Sequence, residues 1–336
     1  MCPATVNTVN GPVRCADLGR TLMHEHLAVS FAGWDTDPTA SRPALREMIA
    51  ECVDRVEELK SAGYRSLVDP CPIDLGRHVE LMGEVAARTG FNIVFATGLY
   101  HQALGANAYW RLRMHASPEP VRHMAEVFAR EITDGVGGSG ARAGIVKIAT
   151  SQPRITDFEK AVFAAAALAA KATGAPITTH TDAVLGQEQQ ALLREHGVPA
   201  HRIVIGHCCG TADHDYHMRL VEGGTYLGFD RFGMSVVQPD ELRVQSLLKL
   251  VARGAMSRLA IAHDSVWCYV GDFMRLDGGF ARKRSPMHFD RVIAPMLREA
   301  GVTAAQIDSM LIDNPRRYFE GEALPALAPV GGLRDV

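Results

Sequence analysis

Short apolar runs alternate with amphipathic stretches along most of the chain. Across 42–62, Leu45, Met48, Ile49, Cys52, Val53, Val56 and Leu59 recur at intervals of three and four, which predicts a helix with one buried face. Gly63 closes it, and 65–70 follows as a short buried strand. The cycle repeats: a helix around 75–89 ends at Gly90 before a strand at 91–98, and a helix around 118–134 precedes a strand at 143–149. A helix over 157–173, capped by Thr156 and closed by Gly174, leads to a strand at 176–181. A helix at 187–196 comes next, then strands at 202–207 and 225–230, a helix at 239–252 and a strand at 259–264. With 21–27 as the first, the pattern gives eight strands and no linker or low-complexity stretch between them. Strands alternating with helices imply an α/β fold with a parallel sheet. Eight such units imply a single (β/α)8 TIM barrel spanning 1–336, with its active site at the C-terminal ends of the strands. A doubly wound open sheet is the alternative, but it usually carries a Gly-rich phosphate turn after its first strand. This chain has His24-Glu25-His26 there.

Composition narrows the partners. The 336 residues are 47% hydrophobic and 22% charged, with a net charge of -3, an ordinary globular balance. There is no basic excess to meet phosphates, so nucleic acid is not an expected partner. Residues 1–14 hold no apolar core segment of a secretory signal. The most apolar run, 161–170, falls far short of the roughly 20 residues a membrane span needs, so it reads as a core-facing helix and no membrane partner is expected. Seven scattered cysteines, odd in number and without a Cys-x-x-Cys pair, read as reduced thiols in a cytoplasmic protein without a structural zinc knuckle. Cys208 and Cys209 read as small buried hydrophobes.

Side chains alternate along a strand, so in 21–27 His24 and His26 point one way and Glu25 the other. Two imidazoles on one side of a strand can grip a divalent ion. Further ligand-type residues fall at the ends of other predicted strands: Lys147, His180, His207 and Asp264. Each alone reads as a core residue or a helix cap. All of them on one rim of one barrel read as a metal site.

The motifs are Thr-Leu-Met-His-Glu-His-Leu (21–27), Val-Lys-Ile-Ala (146–149), Pro-Ile-Thr-Thr-His-Thr (176–181), Ile-Gly-His-Cys (205–208), Gly-Phe-Asp-Arg-Phe-Gly (228–233), Ala-His-Asp-Ser (262–265) and Asp-Asn-Pro-Arg-Arg-Tyr-Phe (313–319). In these the chain resembles the phosphotriesterase-like members of the amidohydrolase superfamily, over 11–319. The resemblance implies two divalent transition-metal ions, zinc first, with manganese, cobalt and iron as alternatives. His24, His26 and Asp264 would hold the buried ion, and His180 and His207 the more exposed one. Lys147, carboxylated to a carbamate, would bridge both; a plain buried ammonium without a partner is costly. A hydroxide shared by the metals would attack a lactone or related ester, with phosphotriesters as promiscuous substrates, and Asp264 would carry the proton. Tyr100 and Arg231 match the lactonase branch, the tyrosine against the metals and the ring oxygen, the arginine lining the pocket. The expected partners are a small-molecule substrate and a second copy, as a homodimer. An amide or carbamate hydrolase on the same metals is the alternative, and a barrel that binds a small ligand without turnover is the rival outside enzymes.

One position departs from the pattern. Relatives place a proton-relaying aspartate where this chain has Gly210; Asp213 and His214 begin the next helix and are expected to face away. After strand eight, Trp267, Tyr269, Phe273, Met274, Arg275, Phe280 and Arg282 suggest a mostly apolar pocket with an anion-tolerant rim.

Overall fold

The chain opens on a hairpin that its hydrophobic pattern does not reveal. Strand β1 (Thr5–Thr8) pairs antiparallel with β2 (Gly11–Arg14). Val9 N–H reaches Ile93 O at 2.9 Å, and Asn7 donates to Ala143 O at 3.1 Å, so the hairpin lies against the N-terminal ends of two later strands. This computed structural model describes residues 4–271 and 285–333.

From there the chain alternates. It runs β3 (Arg20–Leu22), β4 (Glu25–Val29), α1 (Leu45–Ser61), β5 (Tyr64–Asp69), α2 (Val79–Thr89), β6 (Asn92–Gly98), α3 (Ala108–Ala116), α4 (Pro120–Thr133) and β7 (Ile145–Ala149). The second half runs α5 (Asp157–Thr173), β8 (Ile177–His180), α6 (Gly186–Glu195), β9 (Ile203–Ile205), α7 (His214–Glu222), β10 (Tyr226–Phe229), α8 (Asp240–Ala252), β11 (Leu259–Ile261) and β12 (Ser265–Tyr269). Three short helices follow: α9 (Ala294–Glu299), α10 (Ala304–Asp308) and α11 (Asn314–Glu320). Eight parallel strands lie in the order β3-β5-β6-β7-β8-β9-β10-β11. Met23 N–H, just past β3, donates to Ile261 O of β11 at 3.0 Å and joins the two ends. The result is the expected (β/α)8 barrel.

Alternation sorts the side chains into two layers. Leu67, Ile93, Val146 and Ile148 pack outward against the helices, while Val68, Val94, Ile145, Val204 and Tyr226 fill the interior. Tyr318 and Phe319 of α11 join that inner cluster, and Tyr318 donates to Ile177 O at 2.7 Å. Lys147 shares the inward parity of Ile145, which turns its amine into the barrel.

Several boundaries differ from the sequence reading. The first strand is not continuous over 21–27: it breaks after β3, and β4 pairs instead with β12, Glu25 opposite Ser265. The buried Glu25 carboxylate explains the break. It accepts His263 N–H at 2.8 Å, Ser265 N–H at 3.3 Å and the Ser265 hydroxyl, taking over backbone donors that a ladder would otherwise satisfy. Strands β9, β10 and β11 likewise stop short, leaving His207, Asp230 and Asp264 just beyond the sheet. His207 (φ 60°) and Asp264 (φ 50°) are left-handed, a strain on the order of 1–3 kcal/mol each for non-glycine residues. Helix α2 begins at Val79 rather than Leu75 because His78 Nδ1 accepts Leu81 N–H at 3.2 Å and caps it. Helix α3 lies outside the elements the pattern predicts; it fully buries none of its residues, and only Trp110 and Met114 pack partly on the core, so its apolar face is sparse. Trp267 and Tyr269 stand on β12, not in a loop, whereas Phe273, Met274, Arg275, Phe280 and Arg282 lie outside the described residues. Among the described residues no helix is long and apolar enough to cross a membrane.

Candidate functional site

The six ligand-type residues converge at the C-terminal end of the barrel. Nε2 of His24 and Nε2 of His26 lie 3.5 Å and 3.3 Å from the same oxygen of Asp264, Oδ1. Lys147 Nζ is 3.3 Å from His24 Nε2. The His207 ring sits 4.8 Å from that of His24 and 4.6 Å from that of His180, centroid to centroid. All but Asp264, which is slightly exposed, are buried. They form the floor of a cavity of about 500 Å³ whose walls include Val29, Phe31, Leu75, Met234 and Val266.

Tyr100 and Arg231 also line this cavity. The Tyr100 hydroxyl is 3.4 Å from the nearer His180 ring nitrogen, and Arg231 Nε donates to Asp264 Oδ2 at 2.9 Å. Gly210 carries no side chain toward the cavity. Asp213 is the N-cap of α7, accepting Tyr216 N–H at 3.0 Å in an exposed position. Asp213 and His214 thus begin α7, with Asp213 exposed, as expected.

The electrostatics suit metal binding. Burial, helped by the nearby Lys147 charge, lowers the His24 pKa to about 3. Burial also lowers His180 and His207, so all three rings are neutral at pH 7 and keep a lone pair. Burial opposes charge on His26, but Asp264 and Asp69 outweigh it and raise that ring well above its usual value. Burial raises the cost of ionising Asp264, yet His207 and Arg231 hold its carboxyl well below the usual range. Lys147 is brought down to about 8 by burial, against the pull of Asp264 and Asp230.

Among the described residues, three clusters whose donor atoms lie within 4.8 Å of one another could hold an ion: His24 with His26 and Asp264, His24 with His207 and Asp230, and His26 with Asp69 and Cys71. Imidazoles beside a carboxylate are a donor set that divalent transition metals accept; His24 and His207 offer it as neutral rings, whereas His26 must release a proton to do so. The second cluster exposes a residue the sequence reading passed over. Asp230, fully buried, accepts His207 Nδ1 at 2.9 Å and lies 3.2 Å from His24 Nδ1. It therefore turns Nε2 of both rings toward the centre. Asp69 faces His26 from a similar side, its Oδ1 3.4 Å from Nδ1, without the hydrogen bond that Asp230 makes to His207. The available signal was an aspartate at a predicted strand end, identical to the signal that picked out Asp264.

Known proteins repeat this arrangement of chain. The family model described as the phosphotriesterase family matches residues 4–319. A phosphotriesterase homology protein of Mycobacterium tuberculosis is 38% identical over 94% of this chain and 97% of its own. The solved organophosphorus hydrolase from Deinococcus radiodurans superposes with a TM-score of 0.90 at 34% identity, covering 94% of this chain and 97% of that one. A mutant of a PTE-like lactonase from the same organism gives a TM-score of 0.89 at 34% identity, covering 94% and 100%.

Proposed function

The chain belongs to the phosphotriesterase family and is a metal-dependent hydrolase, and from that premise we propose that it opens a lactone or hydrolyses a related ester at a site for two divalent cations. His24, His26 and Asp264 would hold one cation, His180 and His207 the other, and Lys147, as a carbamate, would be shared between them. The observation that carries this reading is the setting of Lys147. Its amine is buried and has no ion pair to a carboxylate among the described residues, its neighbour being His24 Nε2. A lone buried ammonium is costly. A carbamate made by adding CO₂ is an anion with two oxygens, and it suits a place beside the neutral His24 imidazole.

When bound, the two cations supply Lewis acidity, polarising the substrate carbonyl and lowering the pKa of water in the site. The residues of the chain do the rest. Asp264, kept ionised beside Arg231, accepts the proton of the attacking water and returns it to the departing alkoxide. Burial raises the Tyr100 pKa, so its hydroxyl stays protonated and can donate to the ester or ring oxygen. The walls of Val29, Phe31, Leu75, Met234 and Val266 take the apolar part of the substrate. Phosphotriesters fit as side substrates, in keeping with the organophosphorus hydrolase relative.

A screen of lactones, aryl esters, amides and organophosphates with zinc-, manganese- or cobalt-loaded protein tests the reading. Highest kcat/KM on a lactone or ester is expected. Preference for amides by tenfold or more would assign the site to amide hydrolysis instead.

A further inference from the structure

The segment after β6 carries Tyr100 and His101, and two buried carboxylates fix it. Asp74 accepts Tyr100 N–H at 2.8 Å on one oxygen and Ala106 N–H at 2.6 Å on the other. Glu159, on α5, accepts Gln102 N–H at 2.9 Å on Oε1. The same oxygen accepts Ser151 N–H at 2.9 Å and the Ser151 hydroxyl at 2.6 Å. Backbone N–H groups can only donate, so Oε1 is an acceptor throughout and the single hydroxyl proton of Ser151 is committed to it. Two lone pairs remain on Ser151 Oγ. Ala103 N–H takes one at 3.2 Å, and His101 Nδ1 faces the other at 3.4 Å. Since Oγ has no proton left to give, the hydrogen between them belongs to the imidazole: Nδ1 carries N–H, and Nε2 carries a lone pair. No protein group among the described residues is hydrogen-bonded to Nε2, and that atom is not sealed from solvent.

This acceptor belongs to the main cavity. His101 lines it, with its ring centroid 4.1 Å from that of Tyr100 and 5.5 Å from that of His180. A substrate group that meets His101 therefore stands only a bond or two from a carbonyl activated beside His180.

We propose that His101 is a recognition residue that selects esters bearing a hydroxyl, as hydrogen-bond donor, on the carbon next to the scissile carbonyl. Ser151 and Glu159 are its positioning residues, because they dictate which ring nitrogen is the acceptor. The proposal rests on the reading of this cavity as an ester-hydrolysing site. A bound substrate lacking the donor covers the Nε2 lone pair without pairing it, and sites built on such a bond reject the analogue that cannot make it.

Lactanilide and isobutyranilide differ only by hydroxyl against methyl on the carbon beside the carbonyl. Their affinities for zinc-loaded wild type and His101→Phe, measured by calorimetry, give a readout that does not depend on turnover. The affinity ratio of the pair should favour lactanilide about tenfold more in wild type than in His101→Phe, with isobutyranilide little affected. Ser151→Ala leaves the imidazole in place but frees its tautomer, so it should move the ratio part of the way; it also covers a His101→Phe chain that fails to fold. The kcat/KM ratio of 4-nitrophenyl lactate to 4-nitrophenyl isobutyrate should move in parallel. The same affinity ratio in wild type and both variants overturns the proposal. A shifted affinity ratio without turnover of any ester would instead sink the esterase reading and leave the recognition role standing.

Discussion

Asp230→Asn is the substitution that most directly tests how the candidate metal site is built. The Asp230 carboxylate accepts His207 N–H at 3.0 Å and His207 Nδ1 at 2.9 Å, and it lies 3.2 Å from His24 Nδ1. Those two rings are assigned to different cations, so one side chain orients a ligand of each. Asparagine keeps the volume but offers one accepting oxygen and an NH₂ that can only donate. One imidazole must then meet a donor at Nδ1, and it can do so only by moving its proton to Nε2, where the lone pair is needed for metal. Loss of such an outer partner typically costs 10- to 100-fold in metal affinity, about 1.4–2.7 kcal/mol. Because two ligands depend on Asp230, the expected loss lies toward the upper end of that range. Titration of chelator-stripped protein with Zn²⁺ against a chromophoric competitor measures it. Activity should fall in step with occupancy and recover in part at high metal. Circular dichroism and thermal unfolding of the metal-free chains separate the effect from misfolding. Zinc affinity within threefold of wild type would refute the argument that this carboxylate sets the ring tautomers.

Lys147→Ala should lose bound metal and activity together, with a short carboxylic acid partly restoring both; Lys147→Arg equal to wild type, in metal content and rate, would end the carbamate reading. Asp240 is partly buried, which opposes ionisation, yet His288 Nε2 at 2.7 Å and Gly233 N–H hold its pKa below the usual carboxylate range. A folded pKa below the unfolded value of about 3.9 contributes stability that is complete above that value and is lost as pH falls through the folded one. The Tm gap between wild type and Asp240→Asn should thus be full at pH 6 and shrink below pH 4; a gap independent of pH would contradict it. An added Cβ at Gly210 would lie 3.0 Å from Ala183 Cβ and 3.6 Å from Val237 Cγ1, and φ there is not left-handed, so Gly210→Asp should fold with a small local shift. It should change turnover modestly and move the pH profile, whereas a large loss at every pH would mean that the space itself is needed.

The barrel and the six ligand-type residues were legible because both leave local marks: alternating periodicity in one case, histidines and an aspartate at strand ends in the other. The capping of α5 was equally local, with Thr156 and Glu159 three residues apart and each bonding the backbone of the other. What sequence did not reveal depends on partners far along the chain. Glu25 takes the His263 Nδ1 at 2.7 Å from 238 residues away. Asp230 faces both His207 and His24, and Asp69 takes Leu27 N–H at 2.9 Å while facing His26. These three carboxylates obey one rule. β4 pairs on one side only, with β12, and β9 and β11 stop before His207 and His263, so one backbone donor beside each of these histidines has no ladder partner. Each carboxylate satisfies a stranded backbone N–H with the same side chain that faces an imidazole Nδ1. Ring orientation at this centre is therefore coupled to the points at which the strands end. A substitution that lengthened β9 by even one or two residues would be expected to disturb His207 as surely as a change to Asp230 itself.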